Sequence, residues 1–211
     1  MLLHGVWSHG AALTLLKHHL EHEYGFDVRL FNYQFLQRSL DENARALADF
    51  IRDNELSDAH LVGHSLGGVV LLRMLANGMQ SVSGRIVCLG SPLRGSRAAR
   101  ALEAKDWGDA VLGRSVATGV VENTASEWAN DVCQQYDVGV VAGDAPYGVG
   151  QLIADFEGAN DGTVAVAETH LAGQKDHIVL HTSHKGLVLT REPADQIAAF
   201  LKRGEFLREV L

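Results

Sequence analysis

Three side chains in this sequence have the types and spacing for covalent acyl chemistry: Ser65, Asp161 and His184. Ser65 lies in Gly63-His64-Ser65-Leu66-Gly67-Gly68, after the apolar run 59–62 and before a second at 69–75. Gly-x-Ser-x-Gly between such runs predicts a strand, a sharp turn and a helix. The turn strains the serine backbone and brings helix and strand close, so Gly63 and Gly67 are needed for their missing side chains. Ser65 Oγ would be lifted out of the sheet, and the helix N-terminus beneath it favours developing negative charge. The chemistry on offer is attack of a serine hydroxyl on a carbonyl carbon.

A serine nucleophile needs a base, and the base needs an acid to orient it. Asn160-Asp161-Gly162-Thr163-Val164 and Ser183-His184-Lys185-Gly186-Leu187 follow Ser65 in the chain. His184 directly follows the last strand expected, which places it on the edge of the sheet where Ser65 emerges. His177 and His181 are expected inside that strand, and His170 at its opposite end. Asp161 is expected to orient His184. Asn-Asp-Gly is also good turn chemistry, and Asp144, Asp155 and Glu157 compete for the role.

An oxyanion formed at the carbonyl would need two N–H donors. The backbone N–H of Leu66 offers one. The loop His4-Gly5-Val6-Trp7-Ser8 offers the second, through Val6 with Trp7 as the alternative, because Gly5 lets the chain turn tightly. His4 is expected to be a buried histidine that holds this loop.

These residues need a frame. Strands are expected at 1–4, 27–33, 60–64, 84–90, 136–142 and 177–182, short and rich in Val, Leu and Ile as buried parallel strands are. Helices are expected at 11–23, 39–55, 66–77 and 193–203. Ser39 and Glu42 suggest a capping box, Gly78 a helix stop, and Pro193 a first turn. Strict alternation predicts an α/β chain: a doubly wound, mainly parallel six-stranded sheet with helices on both faces, its site at the strand carboxyl ends. One segment, about 92–135, has no clear strand. It carries Leu102, Trp107, Val111, Leu112, Val116, Val120 and Trp128, and is expected to be a helical cap or pocket wall that sets acyl-chain preference.

The 211 residues, 46% hydrophobic, suit a single domain spanning 1–211. A net charge of −8 gives no general attraction to nucleic acid or anionic membranes. Arg85, Arg94, Arg97, Arg100 and Lys105 gather locally, as a solvated surface or as an attraction for anionic substrates. Two cysteines give no disulfide framework, and Cys88 reads as a buried core residue. No run is long enough to cross a membrane. No basic and apolar leader is visible, which reads as cytoplasmic, although Met1-Leu2-Leu3 enters a strand so abruptly that an upstream presequence stays open. His18 and His22 have metal-binding spacing, but no partner ligand is evident. No metal and no cofactor is expected, and the oligomeric state is not legible.

Taken together, Leu2-Leu3-His4-Gly5, Gly63-His64-Ser65-Leu66-Gly67-Gly68, Gly90-Ser91-Pro92 with Gly95-Ser96, Asn160-Asp161-Gly162-Thr163-Val164 and Ser183-His184 resemble small bacterial lipases and esterases of the α/β-hydrolase fold. The Gly-Ser-Pro-x-x-Gly-Ser segment is similar to that of triacylglycerol lipases and inositol-deacylase-like proteins. The resemblance implies hydrolysis of carboxylic esters; short to medium acyl esters, of small-molecule or lipid origin, are the substrates expected here. It implies an acyl-enzyme with Ser65, Asp161 and His184 as the triad, in that fold's chain order. A thioesterase or acyltransferase with the same triad, and a catalytically silent binding scaffold, are the alternatives. The 92–135 segment matches no known cap, so the substrate class is not carried over.

Overall fold

The computed structural model describes residues 1–6, 13–104, 113–121, 124–148, 156 and 158–208. Among them six strands form one sheet in the order β2-β1-β3-β4-β5-β6, and every pairing is parallel. The strands are β1 (Leu2–Leu3), β2 (Leu30–Phe31), β3 (Leu61–His64), β4 (Ile86–Leu89), β5 (Val138–Gly143) and β6 (Asp176–Leu180).

Alternate strand residues point to opposite faces, and the sequence makes both sides apolar. Leu3, Leu61, Ile86, Cys88, Val138 and Val140 join one buried cluster. Leu2, Val62, Val87, Leu89 and Val141 join the other. Helices α2 (Leu40–Asp53) and α3 (Leu66–Ala76) cover the first face, and α1 (Thr14–His22) the second. The doubly wound sheet expected from the sequence is therefore present, and it is parallel throughout.

Helix ends follow local chemistry. Ser39 Oγ accepts from Glu42 N–H while Glu42 accepts from Ser39 N–H, the expected capping box. Gly78, with φ +60°, follows the end of α3.

The strands are shorter than expected. β2 spans two residues because β1 offers it only two partners, Leu2 opposite Leu30 and Leu3 opposite Phe31. β6 stops at Leu180, where the N–H of Thr182 turns back onto the Leu180 carbonyl at 2.8 Å. His181, expected inside that strand, therefore lies beyond it.

The 92–135 segment is helical where it is described: α4 (Arg97–Glu103), α5 (Arg114–Val116) leading into a π-helical turn (Ala117–Val121), α6 (Ala125–Trp128) and α7 (Asn130–Gln135). Leu102, Val116 and Val120 are buried in the cluster shared with α2 and α3, and Trp128 packs against it. Trp107, Val111 and Leu112 lie outside the described residues. After β6 come α8 (Gly186–Leu189), too short to show a helical period in sequence, and α9 (Arg191–Arg203). α9 begins two residues before Pro193, which sits in its first turn, and ends on Gly204 with φ +80°.

No helix among the described residues is long and apolar enough to cross a membrane.

The tightest packing is where α3 meets the sheet. A Cβ on Gly63 would lie 2.4 Å from Gly68 N and 2.5 Å from Gly67 C. One on Gly67 would lie 2.7 Å from the carbonyl oxygens of Leu3 and His4. Neither backbone can yield without moving α3. Gly63→Ala is therefore expected to destabilise the fold by about 2 kcal/mol or more, read as a lower midpoint in denaturant or thermal unfolding.

Candidate active site

Ser65 follows β3, and Asp161 and His184 meet beside the end of β4, at the carboxyl edge of the sheet. Ser65 stands between β3 and α3 with φ 55° and ψ −125°, a conformation that non-glycine residues rarely adopt. The surroundings hold it there: Ser65 N–H donates to Leu89 O at 2.8 Å, and Gly68 N–H donates to Ser65 O at 3.1 Å. Leu66 begins α3, so its N–H is among those the helix leaves unpaired.

Asp161 and His184 meet. Asp161 Oδ2 lies 2.7 Å from His184 Nδ1, with side chains only 1% and 12% exposed. The other carboxylate oxygen accepts from Thr163 N–H at 2.9 Å and Val164 N–H at 2.7 Å. The main chains are joined as well, since His184 N–H donates to Asp161 O at 2.8 Å. A carboxylate can only accept, so His184 carries its proton on Nδ1 and keeps Nε2 as an acceptor.

Asp144 has a histidine of its own. His181 Nδ1 lies 2.8 Å from Asp144 Oδ1, but those side chains are 83% and 35% exposed. Water screens that pair. Asp155 and Glu157, the other competing acids, lie outside the described residues. His170 and His177 stack on each other at 4.1 Å, with His177 Nε2 on Thr169 Oγ1 at 2.9 Å.

The residue that follows β4, Gly90, has to be glycine. Its φ is +51°, and a Cβ there would lie 3.1 Å from both Asp161 Oδ2 and His184 Nδ1 and 2.6 Å from Leu187 Cδ1. The Asp161–His184 pair rests on the bare backbone that follows β4. Ser91 lies just as close to α3, since a Cβ on Gly68 would fall 2.1 Å from its Oγ.

The rest of the Gly-Ser-Pro-x-x-Gly-Ser run is fastened to the acid loop. The buried Glu168 accepts from Arg97 N–H at 2.7 Å and from Ala165 N–H at 2.9 Å, and Arg94 N–H donates to Glu168 O at 2.9 Å. Burial raises the Glu168 carboxyl above its usual range.

Gly5 packs directly on Ser65: a Cβ added there would lie 2.7 Å from Ser65 Cβ and 3.2 Å from its Oγ. Val6 follows, half-buried. Trp7, the alternative donor, lies outside the described residues. His4 is buried and holds the loop as expected. Its Nδ1 is 2.8 Å from Gly5 O, and its Nε2 is 3.4 Å from Tyr33 N. Tyr33, which sequence reasoning missed, stacks on the His4 ring at 4.5 Å and donates its hydroxyl to His4 O at 2.7 Å.

His64 was also missed. It lies inside the serine motif, but nothing in the motif's spacing shows that its ring packs against His184, with centroids 4.6 Å apart. The ring is buried. Burial, and then repulsion from His184, lower its pKa from 6.5 to about 3. Burial and His170 lower His177 to about 4.

Among the described residues no group of three or more His, Cys, Asp or Glu side chains could hold a metal ion.

No protein-family model and no curated protein sequence matches the chain. Solved structures do. All of the chain superposes on the propeptide form of the Bacillus licheniformis lipase BlEst2 with TM-score 0.77 and 17% identity, but it spans only 51% of that protein. The mature form gives TM-score 0.71 and 16% identity over 96% of this chain and 90% of that one. An esterase from Exiguobacterium antarcticum gives 0.65 and 14% over 95% and 91%. These likenesses establish the fold: the chain has the α/β-hydrolase fold.

Two predictions follow from this geometry. Gly90→Ala forces a strained φ and pushes a methyl group under the Asp161–His184 pair, so any turnover that depends on the pair should fall at least about tenfold. Steady-state kinetics on the purified variant reads this. The second concerns pH. The folded pKa of His64 lies below its unfolded value, so the unfolded chain binds protons first. The stability this confers is complete above pH 6.5 and is lost as pH falls toward 3. At pH 5 the loss from His64 amounts to about 2 kcal/mol, and His177 adds in the same direction. Unfolding midpoints should fall between pH 7 and 5, and His64→Gln should flatten that dependence.

Proposed function

We propose that the chain is a serine carboxylic-ester hydrolase that works through an acyl-enzyme. The observation that carries the reading is the enclosed Asp161–His184 pair, 2.7 Å apart, beside the strained Ser65 turn. Nearby folds bearing the names lipase and esterase support it.

In this reading His184 Nε2 takes the Ser65 hydroxyl proton as Oγ attacks the ester carbonyl carbon. The carbonyl π electrons move to oxygen, and that oxyanion is held by the N–H groups of Leu66 and Val6 at the α3 N-terminus. Collapse of the tetrahedral adduct breaks the bond to the alkoxy oxygen, which leaves with the proton from His184. Water repeats the sequence on the acyl-enzyme, with His184 as base, and frees the acid. Asp161 keeps the proton on Nδ1 and stabilises the imidazolium formed in each step.

Short to medium acyl chains are the proposed substrates. The segment from Pro92, which leaves β4 beside Ser65, is the proposed wall of the acyl site.

Ser65→Ala should lower hydrolysis of p-nitrophenyl esters by about 10⁴-fold or more and abolish labelling by a fluorophosphonate probe, with unfolding unchanged. Asp161→Asn should be similarly crippled, while Asp144→Asn stays within a few-fold of the parent. Full turnover by Ser65→Ala would refute the assignment. A crippled Asp144→Asn beside an active Asp161→Asn would move the acid to Asp144. Matched thioesters and alcohol acceptors in the same panel would show whether water is the preferred acceptor.

A further inference from the structure

The His64 ring is enclosed between three parts of the site and is not used in the reaction above. It directly precedes Ser65 on β3. Its Nε2 lies 3.0 Å from the main-chain carbonyl of His184, across 120 positions of sequence. Its Nδ1 faces the oxyanion loop, 3.4 Å from where a Cβ on Gly5 would sit. A carbonyl only accepts, so His64 carries its proton on Nε2 and donates it to His184 O.

That carbonyl is one the neighbouring helix passes over. At the start of α8, Leu187 N–H goes to Ser183 O, and Val188 and Leu189 N–H go to Lys185 O. His184 is held at N–H and Nδ1 by Asp161, at 2.8 and 2.7 Å, and both contacts are with one residue. A third contact, on the carbonyl and from a different strand, ties the His184 main chain to β3 as well.

We propose that His64 is a positioning residue: its Nε2–H bond to the His184 carbonyl fixes the base relative to the strand that carries Ser65. The proposal rests on the reading of Ser65 and His184 as nucleophile and base. The enclosed ring stays neutral across the working pH range, so it adds no positive charge beside the imidazolium that forms on His184.

Gln and Met separate the hydrogen bond from the volume, because both have nearly the same length and only Gln has a donor near the Nε2 position. The full-length chain, its two variants and Ser65→Ala are compared on one p-nitrophenyl ester, with unfolding midpoints measured in parallel. His64→Gln should keep kcat within about threefold. His64→Met should lose about tenfold or more in kcat, as expected for one buried hydrogen bond, with KM within about twofold and a matching slowing of acylation by a small fluorophosphonate. The proposal is overturned if His64→Met keeps its kcat, or if Gln and Met lose equally. Should His64→Met fail to fold, His64→Gln decides: retained kcat supports the bond, and a folded variant more than about thirtyfold slower overturns it. Ser65→Ala separates the two levels. If that variant stays active, the catalytic reading falls and this proposal with it. If it is dead while His64→Met remains fully active, only the role of His64 falls.

Discussion

The site depends on how closely α3 lies on the sheet. Gly63, Gly67 and Gly68 bring its first turn so near β1, β3 and β4 that no Cβ fits at any of the three. That closeness is what forces Ser65 into its unusual backbone angles, since the chain has one residue in which to leave a strand and enter a helix. It also points the helix N-terminus at the place where charge would develop. Strain of this kind costs about 1–3 kcal/mol, and the buried packing of Val69, Val70, Leu71, Leu72 and Met74 below it is large enough to offset it. A looser helix would relax the serine and move the N–H donors away together.

Around that turn the fold offers two carboxylate–histidine pairs of nearly equal length and very different setting. Asp161 gives one oxygen to two backbone N–H groups and the other to His184, almost wholly out of water. Asp144 and His181 face solvent. A hydrogen bond of similar length orients a ring far better when both partners are themselves immobilised. The difference arises from the loops: the 160–169 turn is bonded through Glu168 to α4 and the segment before it, while Asp144 and His181 leave adjacent strands at the outer edge of the sheet.

Much of this was legible in sequence because its causes are local. Glycine flanking Ser65, a capping box at Ser39 and alternating apolar runs each follow from the chemistry of a few adjacent residues. Asp161 and His184 could be chosen by position, as turn residues after strands. Other features depend on contacts between distant segments. Nothing near Tyr33 signals that its hydroxyl reaches His4 O, and nothing near Glu168 signals that it caps α4. Nothing beside His64 signals its contact, since its partner His184 lies 120 positions away. The pairing of His181 with Asp144 was missed because β6 stops one residue before His181. Val116, read as pocket lining, is buried in the core beside α2 and α3, an arrangement set by how the long crossover folds back.

The parts of the site are strung along the whole chain, and the order in which they appear has a consequence for biosynthesis. The strained serine and its helix can form once β1, β3 and β4 are available. His184, the base in the proposed mechanism, arrives only with β6, an edge strand that pairs with β5. On the ribosome, where N-terminal segments emerge first, Ser65 and its turn would emerge well before His184. In the proposed mechanism reactivity would wait until β6 docks on β5 and seats His184 against Gly90.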